Sequence, residues 1–181
     1  MCEHALAGQL GDIFPAARAC LEAAAYSVHL HGSDDLTEAW LRRHDSEECM
    51  KRLRGPEFQQ KAIVKSVTTL SPELGALFEE LYQQAIDFGG HPNERGMSVN
   101  AKRHPLEDGG KRFEQIYLHG DSPALRFGLH CAAEAGAAAV GMARLIWSER
   151  MGPDAAEDAA FRAGLKRDRL EWAPVLGPGA A

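Results

Sequence analysis

The stretch from Ser122 to Met151 constrains this chain more than any other. Ser122-Pro123 is a cap followed by a first-turn proline, Gly152-Pro153 is a stop, and nothing between them breaks a helix. The middle of that helix is built from small residues: Gly128, Ala132, Ala133, Gly136, Ala137 and Gly141. A glycine inside a helix costs about 1 kcal/mol relative to alanine. Several of them make sense if another backbone packs very close. The partner expected from the sequence is an alanine-rich helix near the start, where Leu10, Phe14, Ala17, Leu21, Ala24 and Val28 recur at three- and four-residue steps. Asp12 is placed to cap that helix, with Pro15 in its first turn and Gly32 at a left-handed stop.

Shorter helices are predicted between these two. Asp34-Asp35-Leu36 opens one, and Asp45-Ser46-Glu47-Glu48 has capping-box spacing ahead of another that ends at Gly55-Pro56. Phe58, Ala62, Ile63, Val67 and Leu70 form an amphipathic run. Ser71-Pro72 then launches a strongly periodic helix that Gly89-Gly90 terminates. The segment from His91 to Gly120 loses the helical period. It reads as a loop over residues 91–96 and a hairpin, with strands near 98–103 and 112–118 around the turn Asp108-Gly109-Gly110. A lone hairpin is marginal in water, so it must lie on the helices. The expected fold is therefore mainly α, a helical bundle with a small β-hairpin inserted before the last long helix. It forms one domain over 1–173, with a Pro/Gly/Ala-rich tail at 174–181.

Charge narrows the range of functions. A formal net charge of -6 argues against broad electrostatic binding to nucleic acid or anionic membrane, although a local basic patch is compatible with it. No uncharged apolar run reaches the roughly 18 residues needed to span a bilayer, and the N-terminus lacks a signal-peptide pattern. Cys2, Cys20, Cys49 and Cys131 form no Cys-x-x-Cys pair and read as reduced, buried thiols of a cytoplasmic protein. The Arg-over-Lys and alanine bias suggests a bacterial source.

Two polar clusters are candidates for a site. Arg18, Glu22 and His29 fall within about 40° of one another around a helix, with Tyr26 beside them. Arg126, His130 and Glu134 form a matching stripe on the last helix. The plain reading is an internal salt-bridge network that fixes register, since buried charges must be paired; the sharper one is a polar pocket. The second cluster, Asp87-Phe88-Gly89-Gly90-His91-Pro92-Asn93-Glu94-Arg95, joins a helix end to a loop. A Gly-Gly pair there would let the backbone approach a ligand. The plain alternative is a C-cap with solvated charges. Histidine spacings are poor for a metal, and no phosphate loop, nucleophile elbow or dinucleotide fingerprint is present, so no cofactor is expected.

Arg18-x-x-x-Glu22-x-x-x-Tyr26, Trp40-Leu41-x-Arg43-His44-Asp45 and the Asp87-to-Glu94 segment resemble a family of bacterial helical proteins sharing an Asp-Phe-Gly-Gly-His-Pro-Asn-Glu motif, over Ala16 to about Ile146. That likeness carries no activity with it. More distantly the chain resembles HEPN-like bundles, which would imply RNA cleavage or nucleotide chemistry, often in a homodimer. Their Arg-x(4–6)-His motif is matched in spacing by Arg112 and His119, but an extended strand puts these on opposite faces. Two functions follow as expectations. The first is a binding or regulatory module, a homodimer taking a small molecule or protein partner through Arg18, Glu22, Tyr26, Asp87, His91, Asn93, Glu94 and Arg95. The second is a hydrolase of RNA or nucleotides, with His91 or His130 as acid/base and Arg126 or Arg95 steadying phosphate charge.

Overall fold

The computed structural model describes residues 1–90 and 94–151, the side chains of 90 and 148–151 excepted. The backbone is mainly helical. Among the described residues the α-helices are α1 (Cys2–Leu6), α2 (Leu10–His31), α3 (Asp34–Leu41), α4 (Glu47–Leu53), α5 (Gln60–Leu70), α6 (Pro72–Ala85), α7 (Glu94–Val99) and α8 (Pro123–Met151). Strands β1 (Ala101–Pro105) and β2 (Lys111–Gln115) pair antiparallel just before α8, with Arg103 opposite Phe113. This is the expected fold class, hairpin position included. The tail at 174–181 lies outside the described residues.

Local chemistry sets most of the boundaries. Ser33, Ser46, Ser71 and Ser122 each accept a hydrogen bond from the backbone N–H three residues on, satisfying an orphan donor at the start of α3, α4, α6 and α8. The cap of α4 is thus Ser46, one residue after the Asp45 expected from the sequence. Pro15 is not in a first turn but inside α2, which starts at Leu10. The reason is burial: Leu10, Ile13 and Phe14 are at most 1% exposed, and winding them into the helix outweighs the one backbone bond that proline removes. Gly32 is not left-handed. Among the described residues only Gly8 and Gly109 have positive φ, at 76° and 82°. Gly109 serves the hairpin turn, where Asp108 Oδ1 accepts from the Gly110 N–H at 2.8 Å. The strands sit one to three residues off their expected starts and ends, and residues 94–99, expected as loop and strand, form α7.

The chain divides into two compact units. The first comprises Met1–Ala19 and Leu81–Gly136. Its core is Ala5, Leu10, Ile13, Phe14, Phe127, Cys131 and Ala132, with Phe88 and Val99 packed against it. Phe14, Phe88 and Phe127 form an aromatic triad with centroids 5.0–5.8 Å apart, a range in which such pairs add to plain burial. A Cβ on Gly128 would come within 2.8 Å of Ile13 Cδ1. The first and last long helices therefore touch there, at one of the small residues that predicted it. A Cβ on Gly89 would lie 2.8 Å from Phe14 Cβ, so the π-helical turn Ile86–Gly90 that follows α6 passes close over α2 only as glycine.

The second unit comprises Cys20–Glu80 and the described part of Ala137–Pro153. Leu21, Ala25, Val28, Phe58, Ile63, Val67, Phe78 and Met142 are buried in it. Gly141 owes its smallness to Leu74, 3.0 Å from where its Cβ would be, and not to α2. Arg52 binds Asp35 and, at 3.2 Å, Glu57, which ties α4 to the start of α3 and the turn after α4. Of the four free cysteines only Cys131 is buried; Cys20 and Cys49 are half-buried and Cys2 is exposed. No helix among the described residues is long and apolar enough to cross a membrane.

Candidate functional site

The first unit contains a cavity of about 870 Å³, formed by the π-helical turn, α7, the hairpin and the start of α8. That size suits a drug-like or metabolite-like molecule. Phe127, 6% exposed, forms its floor, and Phe88, Val99 and Ile116 stand half-buried around it. Because Phe88 and Phe127 are also two members of the aromatic triad, the floor is anchored in the core. The exposed Glu94, Arg95, Ser98 and Lys102 supply a polar rim.

Two elements bring polar groups to the cavity from the α8 side. The segment His119, Gly120, Ser122, Pro123 and Ala124 lines it, and α8 begins there. Ser122 Oγ accepts from the Leu125 N–H at 3.2 Å, and the Ser122 carbonyl accepts from the Arg126 N–H at 3.0 Å. Pro123 has no N–H to offer. The Ala124 N–H has no acceptor among the described residues, and it sits at the partially positive end of a long helix.

His119 is held at both ends. Its backbone N–H donates to the Gly8 carbonyl at 2.8 Å. A Cβ at Gly8 would run into the His119 carbonyl oxygen, so the positive-φ glycine is what lets these two backbones meet. The ring Nε2 lies 3.1 Å from Asn100 Oδ1. Asn100 Nδ2 donates to the Gly96 carbonyl at 3.0 Å, which fixes the amide with its oxygen toward the ring. His119 Nε2 therefore carries the hydrogen, and Nδ1 carries the lone pair while the ring is neutral. Burial, and then the positive charge of Lys102, hold the imidazole below its ordinary pKa.

Of the two cations that line the cavity, Lys102 is the less committed elsewhere. Its cross-strand partner is Glu114, whose carboxylate is engaged by His104 at 2.9 Å and Arg112 at 3.0 Å. His104 most strongly, then the charges of Arg112 and Lys102, hold the Glu114 carboxyl below the usual range. Arg95, by contrast, is bound to Asp87 at 3.1 Å, and Asp87 also accepts from Gln83 at 2.8 Å.

The residues singled out from the sequence are distributed as follows. Glu94 and Arg95 are at the cavity, with Asp87 beside Arg95. His91 and Asn93 lie outside the described residues. Arg18 belongs to the first unit, where its guanidinium donates to the Tyr82 hydroxyl at 3.1 Å and lies 5.2 Å from the centre of that ring. Glu22 and Tyr26 belong to the second unit. The Tyr26 hydroxyl donates to the Phe58 carbonyl at 3.4 Å, and burial, then Glu22, raise its pKa. His29 shares that unit, its Nδ1 2.8 Å from Ser66 Oγ and its ring edge-on to Phe58.

On α8, Arg126 is exposed and grips Asp121 through two 2.7 Å bonds, which hold the Asp121 carboxyl low. His130 is nearly buried, with Nε2 3.5 Å from Glu134. Cys131 beside them is pushed far up in pKa by burial, then by Glu134, and stays a thiol. The sequence reading missed Lys102, the Ala124 N–H and the apolar walls. The available signal was the loss of helical period between Gly90 and Pro123, the stretch that makes most of the cavity. No protein-family model, curated protein or solved structure matches the chain.

Proposed function

We propose that the chain is a ligand-binding module and that the cavity of the first unit is its binding site. The observation that carries this reading is the combination in one cavity of an apolar floor fixed in the core and a rim of mixed charge. Neither a nucleophile–base contact nor a bound oxidation chemistry is needed to account for it. Screening metabolites by thermal shift tests the proposal. A hit should raise the melting temperature of the wild type more than that of a Val99→Trp variant, whose indole intrudes on the apolar floor. A library that shifts neither protein, or one that shifts both equally, would end this reading.

The hydrolase reading draws less support. Of its proton carriers His130 is nearly buried and His91 lies outside the described residues, and its phosphate clamps Arg126 and Arg95 are committed to Asp121 and Asp87. Incubation with RNA and Mg²⁺ tests it: cleavage that disappears in His130→Ala would restore it over the binding module. A cytoplasmic setting goes with the proposal on the strength of free thiols and moderate acidity, and a homodimer on the likeness to HEPN-like bundles. Sedimentation equilibrium decides the latter, with twice the 19.7 kDa chain mass expected.

A further inference from the structure

The geometry points to a small amphipathic carboxylic acid as the ligand of this cavity, with its carboxylate between Lys102 and the first turn of α8 and its apolar body on Phe88, Val99, Ile116 and Phe127. The inference rests on the binding-module reading and adds a ligand class to it.

Three features select the charge. Lys102 lines the cavity, and the carboxylate across the hairpin from it is occupied by His104 and Arg112. Ala124 lines the cavity too; its N–H has no acceptor among the described residues and stands at the positive end of the long helix α8. Pro123 keeps the preceding position free of a second donor. One ammonium and one amide N–H match the two oxygens of a carboxylate. Glu94 is the opposing charge on the α7 side of the rim. It disfavours a second anionic group there and is the one carboxylate lining the cavity among the described residues.

The apolar walls select the rest of the molecule. Phe88 and Phe127 meet edge-to-face at 5.0 Å and are held from behind by Phe14. A rigid aromatic floor suits a flat ring or a short alkyl body, and about 870 Å³ leaves room for either.

The test uses three probes of one shape: 1-naphthaleneacetate, 2-(1-naphthyl)ethanol and 2-(1-naphthyl)ethylamine. Each is titrated by calorimetry into wild type, Lys102→Gln and Val99→Trp, with methyl NMR shifts of Val99 and Ile116 reporting the location. The expected order is acid, then alcohol, then amine. The acid should be favoured over the alcohol about tenfold, the worth of one charge-assisted hydrogen bond. Lys102→Gln should erase that preference without weakening the alcohol, and Val99→Trp should weaken all three. Binding at the cavity in which the alcohol or the amine ranks first, or in which Lys102→Gln changes nothing, overturns the carboxylate assignment and leaves the binding-module reading standing. If none of the probes binds and neither methyl shifts, both fall.

Discussion

At the scale of single residues, glycine and histidine carry the sharpest consequences. Gly8 and Gly109 share a left-handed backbone, but only Gly8 has another backbone against the place where a side chain would grow. Gly109→Ala is expected to cost about 1 kcal/mol, the conformational share alone. Gly8→Ala is expected to cost about 2–4 kcal/mol, because the steric collision with His119 is added. Urea denaturation of the two variants measures the difference, and equal costs would mean that the Gly8–His119 contact yields easily. His119 itself should make stability depend on pH. Its folded pKa lies below its ordinary value of 6.5, so the unfolded chain binds the proton first. The stabilisation is complete above pH about 6.5 and is lost as the pH falls from there through the folded pKa. His119→Gln should flatten the stability profile between pH 7.5 and 5; an unchanged slope would assign the acid sensitivity to other groups.

Secondary-structure elements show what a sequence can and cannot reveal. Serine caps, first-turn prolines and turn glycines are local signals, and they placed α6, α8 and the hairpin turn well. The most consequential is Ser122, which starts α8 beside the cavity. Ser122→Ala should lower stability by about 1 kcal/mol, and in a binding assay it should also loosen the anion pole. A variant as stable as wild type would show that water replaces the cap at no cost. The helix α7 has no buried residue, and nothing in the structure explains it. Pro15 inside α2 reflects tertiary burial overriding a local preference, and burial partners are far away in sequence. For the same reason the polar stripes were legible as stripes, while their surroundings were not. Arg18 finds Tyr82 sixty-four positions away, and Arg126 finds Asp121 just ahead of its helix. The cavity was visible only in outline, as a stretch without helical period. Its polar pole depends on an unused backbone N–H and on a lysine whose opposite number is already taken. Neither fact is written in residue identity.

At the scale of the molecule, the cavity and the core of the first unit form one mechanical piece. Phe14 touches both aromatic residues of the cavity floor and is itself 1% exposed. Phe14→Ala should remove about 3–5 kcal/mol, a large part of the roughly 5–15 kcal/mol that holds a domain of ordinary stability together. Denaturant melts would show it, and a loss below about 1 kcal/mol would mean that the triad does not anchor the floor.

The Asn100 amide has the longest reach. By pinning one nitrogen of the His119 imidazole as a donor, it leaves the other as the only place where a proton can enter. An acid arriving beside that ring offsets the repulsion from Lys102 and makes the doubly protonated ring easier to form. Loading below neutrality should therefore draw hydrogen ions out of solution. The apparent heat of binding near pH 6 should differ between MES and Bis-Tris by the number of protons taken up times the difference in their ionisation heats, so that the protein's occupancy follows the acidity of its surroundings.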